Sequence, residues 1–131
     1  MSVVWQKAPD VKKQINALFS CLKLPGYQKS VVFCYRSLGA QTRAVARIWG
    51  LNRLWQLALK VKPHYLIEVI GEKYDRLPPK SQERVLLHEI AHIPRNFSGS
   101  LIPHRRFGKS SFRNKVKALV NQVYENHTCS P

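Results

Sequence analysis

An α+β fold is predicted from three observations. Three segments repeat apolar residues at helical spacing, shorter β-branched and aromatic runs lie between the first two, and proline or glycine marks most junctions. With 131 residues, 44% of them apolar and 10% aromatic, the chain is long and apolar enough to bury a core of its own. We therefore expect one domain over residues 1–131, with no internal repeat or linker.

The first helix is expected over residues 10–23, where Val11, Ile15, Leu18, Phe19 and Leu22 share a face and Leu24-Pro25-Gly26 ends the pattern. Strands are expected at 30–36 (SVVFCYR) and 43–49 (RAVARIW), both β-branched and aromatic, with a possible turn at Gly50-Leu51-Asn52. Residues 53–60 fit either a strand or a helix, because Leu54, Trp55, Ala58 and Leu59 also fall on one helical face. A further strand, 64–70 (HYLIEVI), follows Pro63 and stops at Gly71. Pro78 and Pro79 suit the first turn of a second helix, where a missing N–H does no harm, and this helix runs through Val85, Leu86, Ile90 and Ile93 to Pro94. Residues 94–109 read as a long loop of the kind that often carries function. A third helix over 112–126 follows from Phe112, Val116, Leu119, Val120 and Val123.

Charge and cysteine usage narrow the function classes. The 22 Lys and Arg against 7 Asp and Glu give a net charge of +15, so an anionic partner such as nucleic acid is expected alongside the simpler role of solubility. Phosphate contacts are expected at Arg105, Arg106, Lys109 and Arg113, which follow one another in the C-terminal third. No segment has the roughly 18 uninterrupted apolar residues of a membrane span, and no basic region precedes an apolar signal core. A cytoplasmic protein without membrane contact is expected. Cys21, Cys34 and Cys129 are odd in number and form no C-x-x-C pair, so they are read as ordinary thiols. Trp49 and Trp55 could stack on bases, but large aromatics in apolar segments more often belong to a core.

The chemistry concentrates in residues 83–104 (ERVLLHEIAHIPRNFSGSLIPH), which hold three of the five histidines. His88 and His92 are four apart, so on a helix they lie about 40° apart around the axis and one turn apart along it, presenting both imidazoles to one point. Glu89 flanks that point without needing to ligate. This H-E-x-x-H pattern suits zinc, which acidifies water, with the glutamate as general base in amide hydrolysis. It lies in a helix with apolar residues on either side of it, Val85 to Leu87 and Ile90, where a buried carboxylate and two imidazoles would be costly unless a metal engaged them. His104 is the expected third ligand. A metzincin spacing would need Gly at position 95 and His at 98, where Arg95 and Ser98 stand, and the only acidic residue beyond His92 is Glu125. His64 opens a strand and His127 lies in the tail, so both are expected at the surface. Tyr65, Tyr74 and Arg95 are candidates for stabilising the oxyanion, and the strand over 65–70 is a candidate edge for pairing with an extended peptide.

The segments SLGAQTRAVARIWG (37–50), YLIEVIGEKYDRLP (65–78), VLLHEIAHIP (85–94) and FSGSLIPH (97–104) resemble the small metallopeptidases of archaea and their viruses that are related to the SprT-like zincins. The likeness covers roughly residues 30–107. It implies a minimal zincin: an N-terminal helix, a small antiparallel sheet, the H-E-x-x-H helix, a later histidine and a C-terminal helix. His104-Arg105-Arg106-Phe107 fits the last histidine and aromatic element loosely, whereas the Gly-flanked histidine common in SprT-like sequences and a C-terminal zinc ribbon are absent. The implied function is a zinc-dependent endopeptidase, and more weakly one acting on DNA-associated proteins. The alternative from another class is a basic nucleic-acid-binding module whose metal is structural or incidental.

Overall fold

The computed structural model describes residues 2–22, 24, 27, 30–104 and 111–125. The elements run β1 (Val4–Lys7), α1 (Pro9–Leu22), β2 (Val31–Leu38), β3 (Ala46–Gly50), α2 (Arg53–Leu59), β4 (His64–Ile70), α3 (Gly71–Tyr74), α4 (Pro79–Ala91) and α5 (Phe112–Glu125). This is the expected α+β class. The sheet, however, is mixed rather than antiparallel: its order is β1-β2-β4-β3, and β4 runs parallel to β2 and antiparallel to β3. The connection from β2 to β3 skips one strand position, and after α2 the chain returns as β4 to fill it between β2 and β3. β4 is therefore an inner strand and not the edge for which it was a candidate; β3 and β1 are the edges.

Alternation along the strands decides which face the helices cover. Ile67 and Val69 of β4 are fully buried, with Val32 and Cys34 of β2 and Ala46 of β3 beside them. Against them pack Val11, Ile15, Leu18 and Phe19 of α1, Leu86, Leu87 and Ile90 of α4, and Leu119 and Val123 of α5. These are the periodic positions of the sequence, and each fully buried Leu, Ile or Phe contributes about 1.5–3 kcal/mol by leaving water. At one end of the core, Arg36 draws α1 and the α3 region to β2 by ion pairs with Asp10 (2.8 Å) and Asp75 (3.0 Å).

Residues 53–59 settle as a helix because Asn52 caps it, its side chain accepting from Trp55 N–H, and Lys60 closes it in the left-handed region. The face expected to be buried is turned outward: Leu54, Trp55, Leu57 and Leu59 are exposed, and Gln56 is the buried residue. Trp49 is exposed as well, with its indole N–H donating to Glu68 and the Arg47 guanidinium over its ring. Cys34 is a buried free thiol, as expected, but Cys21 is disulfide-bonded. Spacing along the sequence gave no sign of that crosslink. No helix among the described residues is long and apolar enough to cross a membrane.

Gly50 ends β3 where the loop after α4 passes closest. A Cβ there would lie 2.2 Å from the Gly99 carbonyl oxygen, so glycine is required for space, its φ not being positive. We expect Gly50→Ala to destabilise the fold by about 1–3 kcal/mol, the usual cost of overpacking, measured as a lowered midpoint of urea unfolding at unchanged slope.

Candidate metal centre

α4 is buried along one side, and its C-terminal half carries His88 and Glu89. His92 is not mid-helix as expected but forms the C-cap, still in right-handed geometry, with its N–H bonded to the Glu89 carbonyl and the next N–H, of Ile93, to the Ile90 carbonyl. The one-turn relation of the two histidines survives this early ending. Beyond it, Lys115 of α5 donates to the Ile93 carbonyl at 3.1 Å, placing a cation at the negative end of the helix.

His104 arrives through a loop that is tied down at three points. The hydroxyl of Tyr65 accepts from Gly99 N–H (2.7 Å) and donates to the Ser100 carbonyl (3.0 Å), which joins the loop to the central strand. The Gln56 amide donates both to Leu51 O (2.7 Å) and to Ser98 O (2.8 Å). Finally Ile102 N–H donates to the His92 carbonyl at 2.7 Å, and His92 Nδ1 donates to the Ile102 carbonyl at 2.6 Å. With Nδ1 holding the proton, Nε2 of His92 is the free lone pair.

That lone pair faces the other histidines. His104 Nε2 stands 3.0 Å from His92 Nε2, and one ring nitrogen from each of His88, His92 and His104 lies within 4.8 Å of the other two. Phe112 packs against all three rings, at centroid distances of 4.9, 4.3 and 4.7 Å. Burial holds the pKa of His88 and of His92 below the ordinary imidazole value, and the neighbouring imidazoles add to the effect, so the pair is neutral near pH 7. Three convergent ring nitrogens, two facing each other at hydrogen-bond distance, are a donor set that a cation satisfies.

Glu89 is 6% exposed, and burial pushes its carboxyl up to about 7 with no cation offsetting it. It shares with all three histidines a groove of about 640 Å³ between β3 and α4, whose opposite wall is Ala44 to Ile48. A second groove, of about 800 Å³, runs between α4 and α5 and also reaches His88 and His104. Arg84, one turn before His88, borders both grooves. Its i−4 spacing was the available sign of that position.

The candidates for oxyanion stabilisation fare differently from the histidines. Tyr65 and Tyr74 are buried in the core; the Tyr65 hydroxyl is occupied by the loop, and that of Tyr74 lies 3.5 Å from Gln14. Arg95 lines a different groove, with Leu22 and Ile93. Of the expected phosphate contacts, Arg113 lies exposed on α5, whereas Arg105, Arg106 and Lys109 lie outside the described residues, as does His127. His64 is half-buried at the start of β4, remote from the three histidines in the fold.

A family model described as "Putative phage metallopeptidase" matches residues 3–124. Neither a curated protein nor a solved structure matches the chain.

The buried carboxylate has a measurable consequence for the metal-free protein. Its pKa is about 4.5 in the unfolded chain and about 7 in the fold, so the folded state holds the extra proton between these values and loses stability as pH rises through them. Above pH 7 the ionised group costs up to about 3 kcal/mol. We expect metal-free Glu89→Gln to be more stable than the parent at pH 8 and equal to it near pH 4.5, by chemical denaturation.

Proposed function

Because the chain belongs to the putative phage metallopeptidase family, we propose that it is a zinc-dependent endopeptidase in which His88, His92 and His104 hold the ion and Glu89 is the general base. The observation that carries this reading is the convergence of three imidazole nitrogens within 4.8 Å of one another beside a buried carboxylate. Neutral nitrogen donors suit zinc over harder cations, which prefer oxygen. When bound, zinc would supply Lewis acidity to polarise the scissile carbonyl and to acidify the attacking water. Glu89 takes the proton of that water and returns it to the leaving amine, a role for which a carboxyl in a dry groove is suited. The reciprocal bonds between His92 and Ile102 keep the ligand tautomer fixed while this happens.

The edge of β3 supplies the place for substrate. Val45 and Leu51 bond across to β4, so the alternation of an antiparallel ladder turns the N–H and C=O groups of Ala46 and Ile48 outward, into the groove that holds Glu89. An extended peptide pairing there would lie alongside α4. The order of helix, sheet, H-E-x-x-H helix, later histidine and final helix supports the likeness to the SprT-like zincins, and the +15 charge supports substrates that are themselves bound to nucleic acid. Against the alternative of a binding module with structural zinc stands the donor count. A structural site closes with four protein ligands, and the cluster found among the described residues has three.

We expect about one zinc per chain by elemental analysis, lost in His104→Ala. Glu89→Gln should keep the zinc and lower kcat on a casein-type substrate by about 10²-fold or more. Wild-type turnover by that variant removes Glu89 as the base, and a protein that takes up no zinc removes the whole reading. Ile48→Pro deletes an outward N–H on an edge strand, where the sheet tolerates it. It should lower kcat/KM by about tenfold with metal content unchanged.

A further inference from the structure

The α4–α5 groove has a chemistry of its own. Its floor is apolar, formed by Phe112, Val116 and Val120, and it leads away from His88 and His104. Its walls are cationic. Arg113 and Lys117 stand one turn apart on α5, both exposed, and Arg84 of α4 lines the same groove. At the far end Lys80 lies over the Tyr124 ring at 4.9 Å and Arg84 donates to the Tyr124 hydroxyl at 3.4 Å.

Among the described residues, the close ion pairs engage Arg36 and Arg47, and Arg113 and Lys117 are in none of them. Like charges at i and i+4 on a helix repel, so Arg113 and Lys117 raise the energy of α5 until an anion enters between them and Arg84. An apolar floor beneath a cationic rim fits a side chain with a methylene stem and a negatively charged tip.

We propose that this groove is a specificity pocket for an acidic substrate side chain, glutamate or aspartate, placed next to the bond that the histidine centre cleaves. The proposal rests on the peptidase reading: a peptide extended along β3 passes His88 and His104, where the two grooves meet, and can drop one side chain between α4 and α5. Each partly exposed ion pair adds little, so Arg113, Lys117 and Arg84 together should give a preference of roughly tenfold, shrinking with salt.

The test reads binding, independently of turnover. Zinc-loaded protein is titrated by calorimetry with short peptide hydroxamates that differ in one side chain beside the chelating group: glutamate, leucine or lysine. The glutamate ligand should bind roughly tenfold more tightly than the lysine one at low salt. In Arg113→Glu/Lys117→Glu the order should reverse, with zinc content and affinity for the leucine ligand unchanged. Equal affinities in the parent, or an order that the double variant leaves intact, overturn the pocket. So does a single-stranded oligothymidylate that binds the parent, fails to bind the variant and displaces no hydroxamate selectively, because the cations then serve phosphates. The expected order in a protein that cleaves no peptide would overturn the peptidase reading and leave the pocket standing. Cleavage without regard to charge would do the reverse, and failure of every hydroxamate to bind overturns both.

Discussion

Two hydrogen bonds between His92 and Ile102 hold the centre together. One runs from Ile102 N–H to the His92 carbonyl and the other from His92 Nδ1 to the Ile102 carbonyl, so one residue pair both ends α4 and starts the approach of His104, two residues later. The side-chain bond settles which ring nitrogen carries the proton. Without it Nε2 would be protonated in part of the molecules, and the 3.0 Å approach of His104 Nε2 would set a donor where a lone pair is needed. The long loop is thus held rigidly two residues before His104.

That rigidity depends on parts of the fold far along the sequence. Tyr65 reaches from the central strand and Gln56 from α2, and both bind the backbone between Ser98 and Ser100. Gly50 and Gly99 let the two chains approach more closely than any side chain would allow. The placing of Gln56 also explains why α2 shows its leucines and Trp55 to solvent. Only one face of a seven-residue helix can meet the loop, and an amide that satisfies two partly buried carbonyls takes that face, because leaving those carbonyls unpaired would cost stability.

Legibility in the sequence follows the range of the interactions. The three long helices and the strand over 64–70 were readable because their signals are local: apolar periodicity, prolines at an entry, a glycine at an exit. The histidine triad was readable for a similar reason. His88 and His92 are related by helix geometry alone, and His104 was the remaining candidate after the acidic residues had been excluded. Strand order was not readable. Nothing in residues 4–7, all exposed, announces a strand until β2 is present to pair with them, and nothing in 64–70 says that β3 will lie outside it. The misplaced substrate edge followed directly. Trp49 was misread because its indole N–H and ring find partners in Glu68 and Arg47 at the surface, contacts that join β3 to β4 through a register that sequence alone does not reveal.

Burial places Glu89 and the histidines under opposed demands. Desolvation keeps His88 and His92 neutral, the state in which they can ligate, and the same desolvation raises the Glu89 carboxyl to about 7. A cation among the three nitrogens relieves the second effect without undoing the first, since it favours a carboxylate nearby and competes with protons for the imidazoles. A metal held there and the Glu89 carboxylate would thus be linked through their shared environment. The core formed by α1, α4 and the inner sheet face is what makes a dry setting for them possible: Leu86, Leu87 and Ile90 anchor the helix whose C-terminal turn carries His88, Glu89 and His92.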